Sequence, residues 1–356
     1  MSTHSDTDVS HEKRSFKKPT MPNLDGEWLT QILLYLNLSV FAMAGAIARQ
    51  GITLLTVFTG SYSPSGLLWC NFAGCLLYGW LEDSHIFSLI EDQKQVPRRK
   101  IPLWVGMGPG FCGSMTSFSS IMLEAFLFGA NQNIPKADYP DAGYGVQSVM
   151  AVGLIHYGLS FAGLEVGHHL ADFLPIPPMT VPFERAVSFV IGCCSIALFC
   201  LFIIFAALWK SWRTWMYLGL WALAGANFRF QFSRLNRLGS GKNPWGTFTS
   251  NLIATLILAI GAMLQMGKVG DSALVTNVVQ CQIIGGIANG FCAALSTVND
   301  MVDECYHMSY KRAYVYAWFT NFFGFSLMIL VLGSFTWTNS LTAPHCAYPP
   351  PDAPPS

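Results

Sequence analysis

Apolar runs near the length needed to cross a bilayer, roughly 20 residues, alternate with short polar segments along almost the whole chain. They fall at about 29–49, 65–81, 101–128, 146–170, 186–209, 213–229, 244–266, 276–302 and 313–335, so the pattern predicts nine transmembrane helices. Glycines interrupt several of them, above all the third and eighth. Irregular backbone of that kind is tolerated at membrane depth only inside a bundle.

Against this apolar background a set of polar, glycine and charged positions recurs at a constant separation of 180 residues. Arg49 pairs with Arg229, Asn71 with Asn251, Gly110-Phe111-Cys112 with Gly290-Phe291-Cys292, and Glu124 with Glu304. Gly45, Pro64 and Gly66 pair with Gly225, Pro244 and Gly246 in the same register. The fourth and ninth spans match at a separation of 166, through Tyr157-Gly158-Leu159-Ser160 and Phe323-Gly324-Phe325-Ser326. The chain therefore reads as an internal duplication. A first four-helix repeat covers 28–172, a linker transmembrane helix 184–210 and a second four-helix repeat 211–336. Four spans plus one linker is an odd number, so equivalent helices of the two halves run in opposite directions. The expected fold is an all-α membrane protein of two inverted four-helix repeats, with broken third and eighth helices.

Composition agrees. Charged residues make up 11% of the chain, against roughly 25% in a soluble domain. No basic patch points to nucleic acid. The ten cysteines form neither a metal-ligand spacing nor a secreted-type framework of bridges. Segments 1–27 and 337–356 read as tails, the first a disordered cytosolic one without a signal-peptide run. Of the 20 Lys and Arg, all but Arg49, Lys136, Lys210, Arg213 and Lys268 fall on one side if the N-terminus is cytosolic. The positive-inside rule then places the C-terminus outside.

The candidate chemistry sits at the repeated positions. In the third span Pro109 and four glycines are expected to disrupt the helix, freeing carbonyls for a cation and N–H groups, with Thr116, Ser119 and their neighbours, for an anion. The eighth span repeats the design with Gly290, Ser296, Thr297 and Asn299. Close packing through small residues is the competing reading. Asn71 and Asn251 offer amide donors to a dehydrated anion, or act as interhelical glue. Arg49 and Arg229 end their spans, either as interfacial anchors or as recruiters of an anion at a vestibule. Glu124 and Glu304 read as solvated helix-end carboxylates. His156, aligned with Phe322, reads as a packing or hydrogen-bonding residue.

Through Gly45-Ala46-Ile47-Ala48-Arg49, Asn71-Phe72-Ala73-Gly74 and the run Gly110 to Ser119, with their copies in the second half, the chain resembles the Fluc and FEX family of fluoride channels, specifically its fused eukaryotic exporters. The resemblance implies that Asn71 and Asn251 are pore asparagines and that Phe118 contacts the anion through its ring edge. It also implies that carbonyls of Gly113 and Thr116, with those of Ala293 and Ser296, hold a structural sodium ion. The family's two phenylalanines align with Phe118 and Ile121 in the first half but with Val298 and Met301 in the second. One competent pathway beside a degenerate one is expected. Ser160 and Ser326 are expected to continue a polar track.

The resulting expectation is a passive fluoride channel of the plasma membrane, one chain equivalent to a bacterial dimer, with fluoride and the lipid bilayer as partners. The alternative is a secondary active, proton-coupled anion transporter, since broken inverted repeats also serve alternating access. No HExxH, GxSxG or paired in-membrane aspartates indicate an enzyme.

Overall fold

The computed structural model describes residues 26–56, 65–133, 136, 138–237, 243–344 and 346. The expected tails therefore lie mostly outside the described residues, as do Pro64 and Lys242. Within them, nine long helical segments follow the nine predicted runs. They are α1 (Glu27–Thr56), α2 (Gly66–Asp83), α3 (Pro102–Gly129), α4 (Gly143–Phe173), α5 (Val181–Leu208), α6 (Arg213–Phe232), α7 (Trp245–Met266), α8 (Val278–Tyr306) and α9 (Tyr310–Thr336).

Seven of these are long and apolar enough to cross a membrane, and α2 and α6 fall outside that set. The protein is an all-α, multi-pass membrane protein. The two less apolar helices are inner ones: α2 packs along α4, and α6 against α1 and the first arm of α8. Burial orders the bundle in the same sense. The most apolar window of α3 is 67% buried, against 22% for α5 and for α9, so the broken helix occupies the core while α5 and α9 present their side chains outward.

Helices α1 and α6 cross at the centre, where Asn227 Nδ2 donates to Ser39 Oγ at 3.0 Å and Tyr35 packs edge-on against Phe230. Each lies against the broken helix of its own half so closely that only glycine fits. A Cβ on Gly45 would stand 2.3 Å from the Phe111 carbonyl oxygen, and one on Gly225 2.3 Å from that of Phe291. The linker α5 docks on α1, with Asn37 Nδ2 donating to the Ser188 carbonyl at 3.0 Å and Ser188 in turn donating to buried Glu184 at 2.8 Å.

The last turns of α7 and α9 meet in a small antiparallel sheet of order β2-β1-β3, formed by β1 (Gly267–Val269), β2 (Ser272–Ala273) and β3 (Ser340–Leu341). Next to it a disulfide joins Cys281 to Cys346, Cα atoms 5.8 Å apart. Two expectations are corrected here. The cysteines do form a bridge, which spacing alone did not reveal because its partners are 65 residues apart, and the segment after Thr336 is tied to the bundle as far as Cys346. Closing so long a loop restricts the unfolded chain, so Cys346→Ser should lower stability by about 2–4 kcal/mol. Thermal melts of both proteins with and without reductant check this. A deficit that persists when both are fully reduced would mean the bridge is not its cause.

Candidate functional site

Both broken helices approach their breaks through a wide turn. In α3, Gly106–Cys112 forms a π-turn containing Pro109, the turn Gly113–Met115 follows, and the backbone opens at Thr116 (ψ 158°) and Ser117 (ψ 119°) before helix resumes at Phe118. In α8, Ile287–Cys292 and Ala293–Leu295 lead to an opening at Ser296 (ψ 149°), and helix resumes at Asn299. The expected break at Pro109 is thus displaced by two turns. The π-turn accommodates the ring, and α8 opens at the equivalent place with Asn289 where α3 has Pro109.

What the two openings share is an asparagine on the preceding helix. Asn71 Oδ1 accepts the freed Ser117 N–H at 3.0 Å, and Asn251 Oδ1 accepts that of Thr297 at 2.8 Å. Both side chains are fully buried. The amide oxygen therefore caps the break and only the Nδ2 group remains as a donor. In the first copy Nδ2 lies 3.2 Å from His156 Nδ1; in the second it donates to the Thr297 carbonyl at 3.3 Å.

The openings face each other, and the predicted hydroxyls tie them together. Thr116 and Thr297 both donate to Asn299 Oδ1, at 2.7 and 2.6 Å. The Ser119 N–H donates to Ser296 Oγ at 3.1 Å, and the two hydroxyls are 2.9 Å apart. The turns before the openings, Gly113–Met115 and Ala293–Leu295, pack against one another, so two helix C-termini, with the negative ends of their dipoles, converge at the centre. An oxygen-only donor set of this kind suits a hard cation such as sodium. Gly113, Thr116, Ala293 and Ser296 fit that role, with the Gly113 carbonyl already accepting from Arg229 Nη1 at 2.6 Å.

Arg49 and Arg229 are not interfacial anchors. Helix α1 continues past Arg49 to Thr56, and the two residues are only 6% and 4% exposed. Arg229 reaches across to the other half, where its guanidinium donates to the Pro109 and Gly113 carbonyls and lies 3.9 Å from Asp300. Arg49 makes no such bridge among the described residues.

Beyond the openings, each helix arm packs on both halves: Phe118–Gly129 on α4 and also on α7 and α9, and Asn299–Tyr306 on α9 and also on α2 and α4. Phe118 and Met122 lie over Gly324, where a Cβ would stand 2.9 Å from the Phe118 ring.

A cavity of about 1160 Å³ opens at one end of the bundle, where α2, α6 and α8 end and α1, α3, α7 and α9 begin. Arg229, Thr247, Asp300 and Glu304 line it. Glu304 is no solvated helix end: it accepts from Thr247 at 2.5 Å, Tyr316 at 3.0 Å and Asn236 at 3.2 Å. Its repeat partner Glu124 faces buried His156, with Oε2 3.3 Å from Nε2. A second cavity of about 440 Å³ lies at the opposite end, between Phe126, Val149, Phe325 and Ile329. Among the described residues, potential metal-ligand atoms of Glu82, Asp303 and His307 lie within 4.8 Å of one another on the first cavity's wall, away from the central carbonyls.

One register is corrected. Buried positions on α4 are His156, Ser160 and Leu164; on α9 they are Thr320, Gly324 and Met328. The separation of these buried stripes is 164 residues, and a π-turn at Ile329–Gly333 follows them in α9. Thr320, not half-exposed Phe322, stands opposite His156, and Ser326 lies two residues off the buried stripe. Thr247, Tyr316 and Thr320 escaped the sequence reading. The i, i+4 spacing of Tyr316, Thr320 and Gly324 was the available signal.

Residues 36–164 and 216–334, stretches that start 180 residues apart, each match the model of a family described as CrcB-like protein, Camphor Resistance (CrcB). The chain is 32% identical to Fluoride export protein 1 of Candida albicans over 316 residues, which covers 86% of this chain and 80% of that protein. It is 25% identical to Fluoride export protein 1 of Saccharomyces cerevisiae, over 88% of this chain and 96% of that one. A shorter bacterial protein, Fluoride-specific ion channel FluC 1 of Bacillus thuringiensis, is 30% identical over 144 residues, 40% of this chain and 90% of its own. No solved structure matches the chain.

Proposed function

The chain belongs to the CrcB-like protein family, and on that premise we propose that it is a passive, fluoride-selective channel that lets the anion leave the cytosol. The observation that carries this reading is a set of neutral polar and aromatic side chains on helices that reach from one cavity to the other, which we read as one line. Thr247 lines the first cavity, Asn251 and Thr320 are buried along α7 and α9, the Phe118 ring lies over Gly324, and Phe126 and Phe325 line the second cavity. A dehydrated anion moving along it would exchange water for an amide N–H, a hydroxyl and the positive edge of a ring. The Asn251 and Thr320 stretch contains no ionisable group that must titrate. A negative-inside potential alone drives an anion outward, by about 2.3 kcal/mol per 100 mV.

The bundle that supports this line is read as two inverted repeats of four helices around α5. One bacterial chain matching 40% of this one supports the view that a single chain here replaces a dimer. Sodium bound at the Gly113, Thr116, Ala293 and Ser296 carbonyls would offset the charge of the converging helix ends. Arg229 does part of the same work and holds the first opening in place. The plasma membrane is the proposed location, with the large cavity cytosolic. The Cys281–Cys346 bridge on the far side supports an exterior C-terminus, because disulfides persist in oxidising compartments.

Fluoride efflux from liposomes containing the purified protein, with chloride as control, tests the proposal. Fluoride should leave rapidly and settle at the gradient set by an imposed potential, with chloride retained. Equal chloride efflux would refute selectivity. The second reading, proton-coupled transport, is favoured by the buried Glu124–His156 pair, which lies off the Asn251 line. Fluoride accumulation driven by a pH gradient at zero potential would establish it instead.

A further inference from the structure

We propose that His156 closes the Asn71 pathway, so that this one side chain decides why the two halves of the proposed channel differ. The inference rests on the channel reading above and adds a named obstruction to it.

His156 occupies the position on the buried stripe of α4 that Thr320 occupies on that of α9, and it lies beside Asn71. It is 1% exposed, its Nδ1 contacts Asn71, and its Nε2 lies 3.3 Å from Glu124 Oε2 without a hydrogen bond. Asn71 Oδ1 is committed to the Ser117 N–H, so the group within 3.2 Å of His156 Nδ1 is an N–H donor. Nδ1 must then be the unprotonated nitrogen, and the ring proton resides on Nε2. Glu124 Oε2 stands on that side of the ring, 3.3 Å from Nε2. The hydrogen-bonded chain runs from Ser117 through Asn71 to His156, with Glu124 close behind it.

The consequence for an anion is twofold. The Nδ1 lone pair sits against the amide hydrogen that fluoride would need, and a lone pair repels an anion. The imidazole also fills space that a threonine would leave, because Thr320 folds its hydroxyl back onto the Tyr316 carbonyl at 2.8 Å. The two glutamates follow the same division. Glu304 lines the large cavity and takes its three hydrogen bonds from Thr247, Tyr316 and Asn236, whereas Glu124 clamps the histidine. Ser160, one turn along α4, remains as a fully buried hydroxyl in the closed track.

The test uses His156→Thr in two backgrounds, assayed by fluoride efflux from liposomes. With Asn251 intact, His156→Thr should keep at least wild-type flux, rising at most about twofold if a second parallel path opens. This variant also reports that the protein folds. With Asn251→Asp, which disables the open line, efflux should be near background, and adding His156→Thr should restore it to within about tenfold of wild type. A double variant that stays at background while the single variant conducts overturns the proposal. So does a single variant that loses flux but keeps the wild-type melting temperature, since His156 would then serve the conducting line. If His156→Thr melts early, the smaller change His156→Asn is assayed in both backgrounds, with the same two outcomes deciding. A wild-type protein that carries no fluoride would refute the channel reading itself, a result independent of His156.

Discussion

Asn251→Asp is expected to cut fluoride flux by about 100-fold or more, while Asn71→Asp leaves it within about twofold of wild type. In the native protein Asn251 Oδ1 already accepts the Thr297 N–H at 2.8 Å, so the face presented to the pathway is Nδ2. Aspartate keeps the cap and replaces that donor with an acceptor. The new oxygen would confront both the Thr297 carbonyl, 3.3 Å from Nδ2 in the native protein, and any anion on the line between the cavities. Removing a buried donor and adding like charge costs on the order of 3 kcal/mol, and each 1.4 kcal/mol is about tenfold in rate. At Asn71 the same change falls beside His156, on a line that this side chain already closes. Equal partial losses in the two variants, read as initial efflux rates, would show that both pathways conduct.

Arg229→Met should destabilise the folded protein by about 3–5 kcal/mol, the range for breaking a buried charged pair. The guanidinium is 4% exposed and joins the halves, donating to the Pro109 and Gly113 carbonyls with Asp300 close by. Methionine has similar length but removes the donor of the Pro109 and Gly113 carbonyls and the positive charge near Asp300. The site is shaped for this fork: a Cβ on Gly113 would lie 2.2 Å from Arg229 Nη2. Arg229→Lys should recover only part of the loss, because one ammonium cannot reproduce a planar fork spanning two carbonyls. Arg49→Met, which removes no comparable bridge among the described residues, should cost less. Thermal melts in detergent check the order, and a melting temperature unchanged by Arg229→Met would refute the bridging role.

Much of this architecture was legible before any coordinates. Nine helical segments stand where the apolar runs placed them, since a bilayer leaves a helix little freedom in length or polarity. Several polar residues singled out in the sequence meet at the two openings: Asn71 and Asn251 cap them, and Thr116, Thr297, Ser119 and Ser296 join them. A polar residue kept twice in apolar surroundings has to find a partner, and the breaks provide it. The misreadings have a common cause. Pro109 was assigned the break because proline interrupts an ideal α-helix, but a π-turn absorbs it. Glu124 and Glu304 were assigned to solvent because their partners, His156 in one case and Thr247, Tyr316 and Asn236 in the other, come from other helices. Equating His156 with Phe322 follows the residue match at a separation of 166, whereas the buried stripe Thr320, Gly324 and Met328 sets the equivalent position at 164, which only side-chain burial reveals.

By itself the sequence determined a membrane bundle, its duplication and the residues that meet at its centre. Those follow from hydropathy and from spacing along the chain, which are local quantities. Tertiary structure alone decided which residues act together: that the Phe118 ring lies over Gly324 of the other half, that Arg229 bridges into the opposite half, and that His156 lies against Asn71. These contacts join segments far apart in the chain, 116 residues for Arg229 and Gly113 and 85 for His156 and Asn71, set by how helices pack in three dimensions, and a repeat at a constant offset is silent about them.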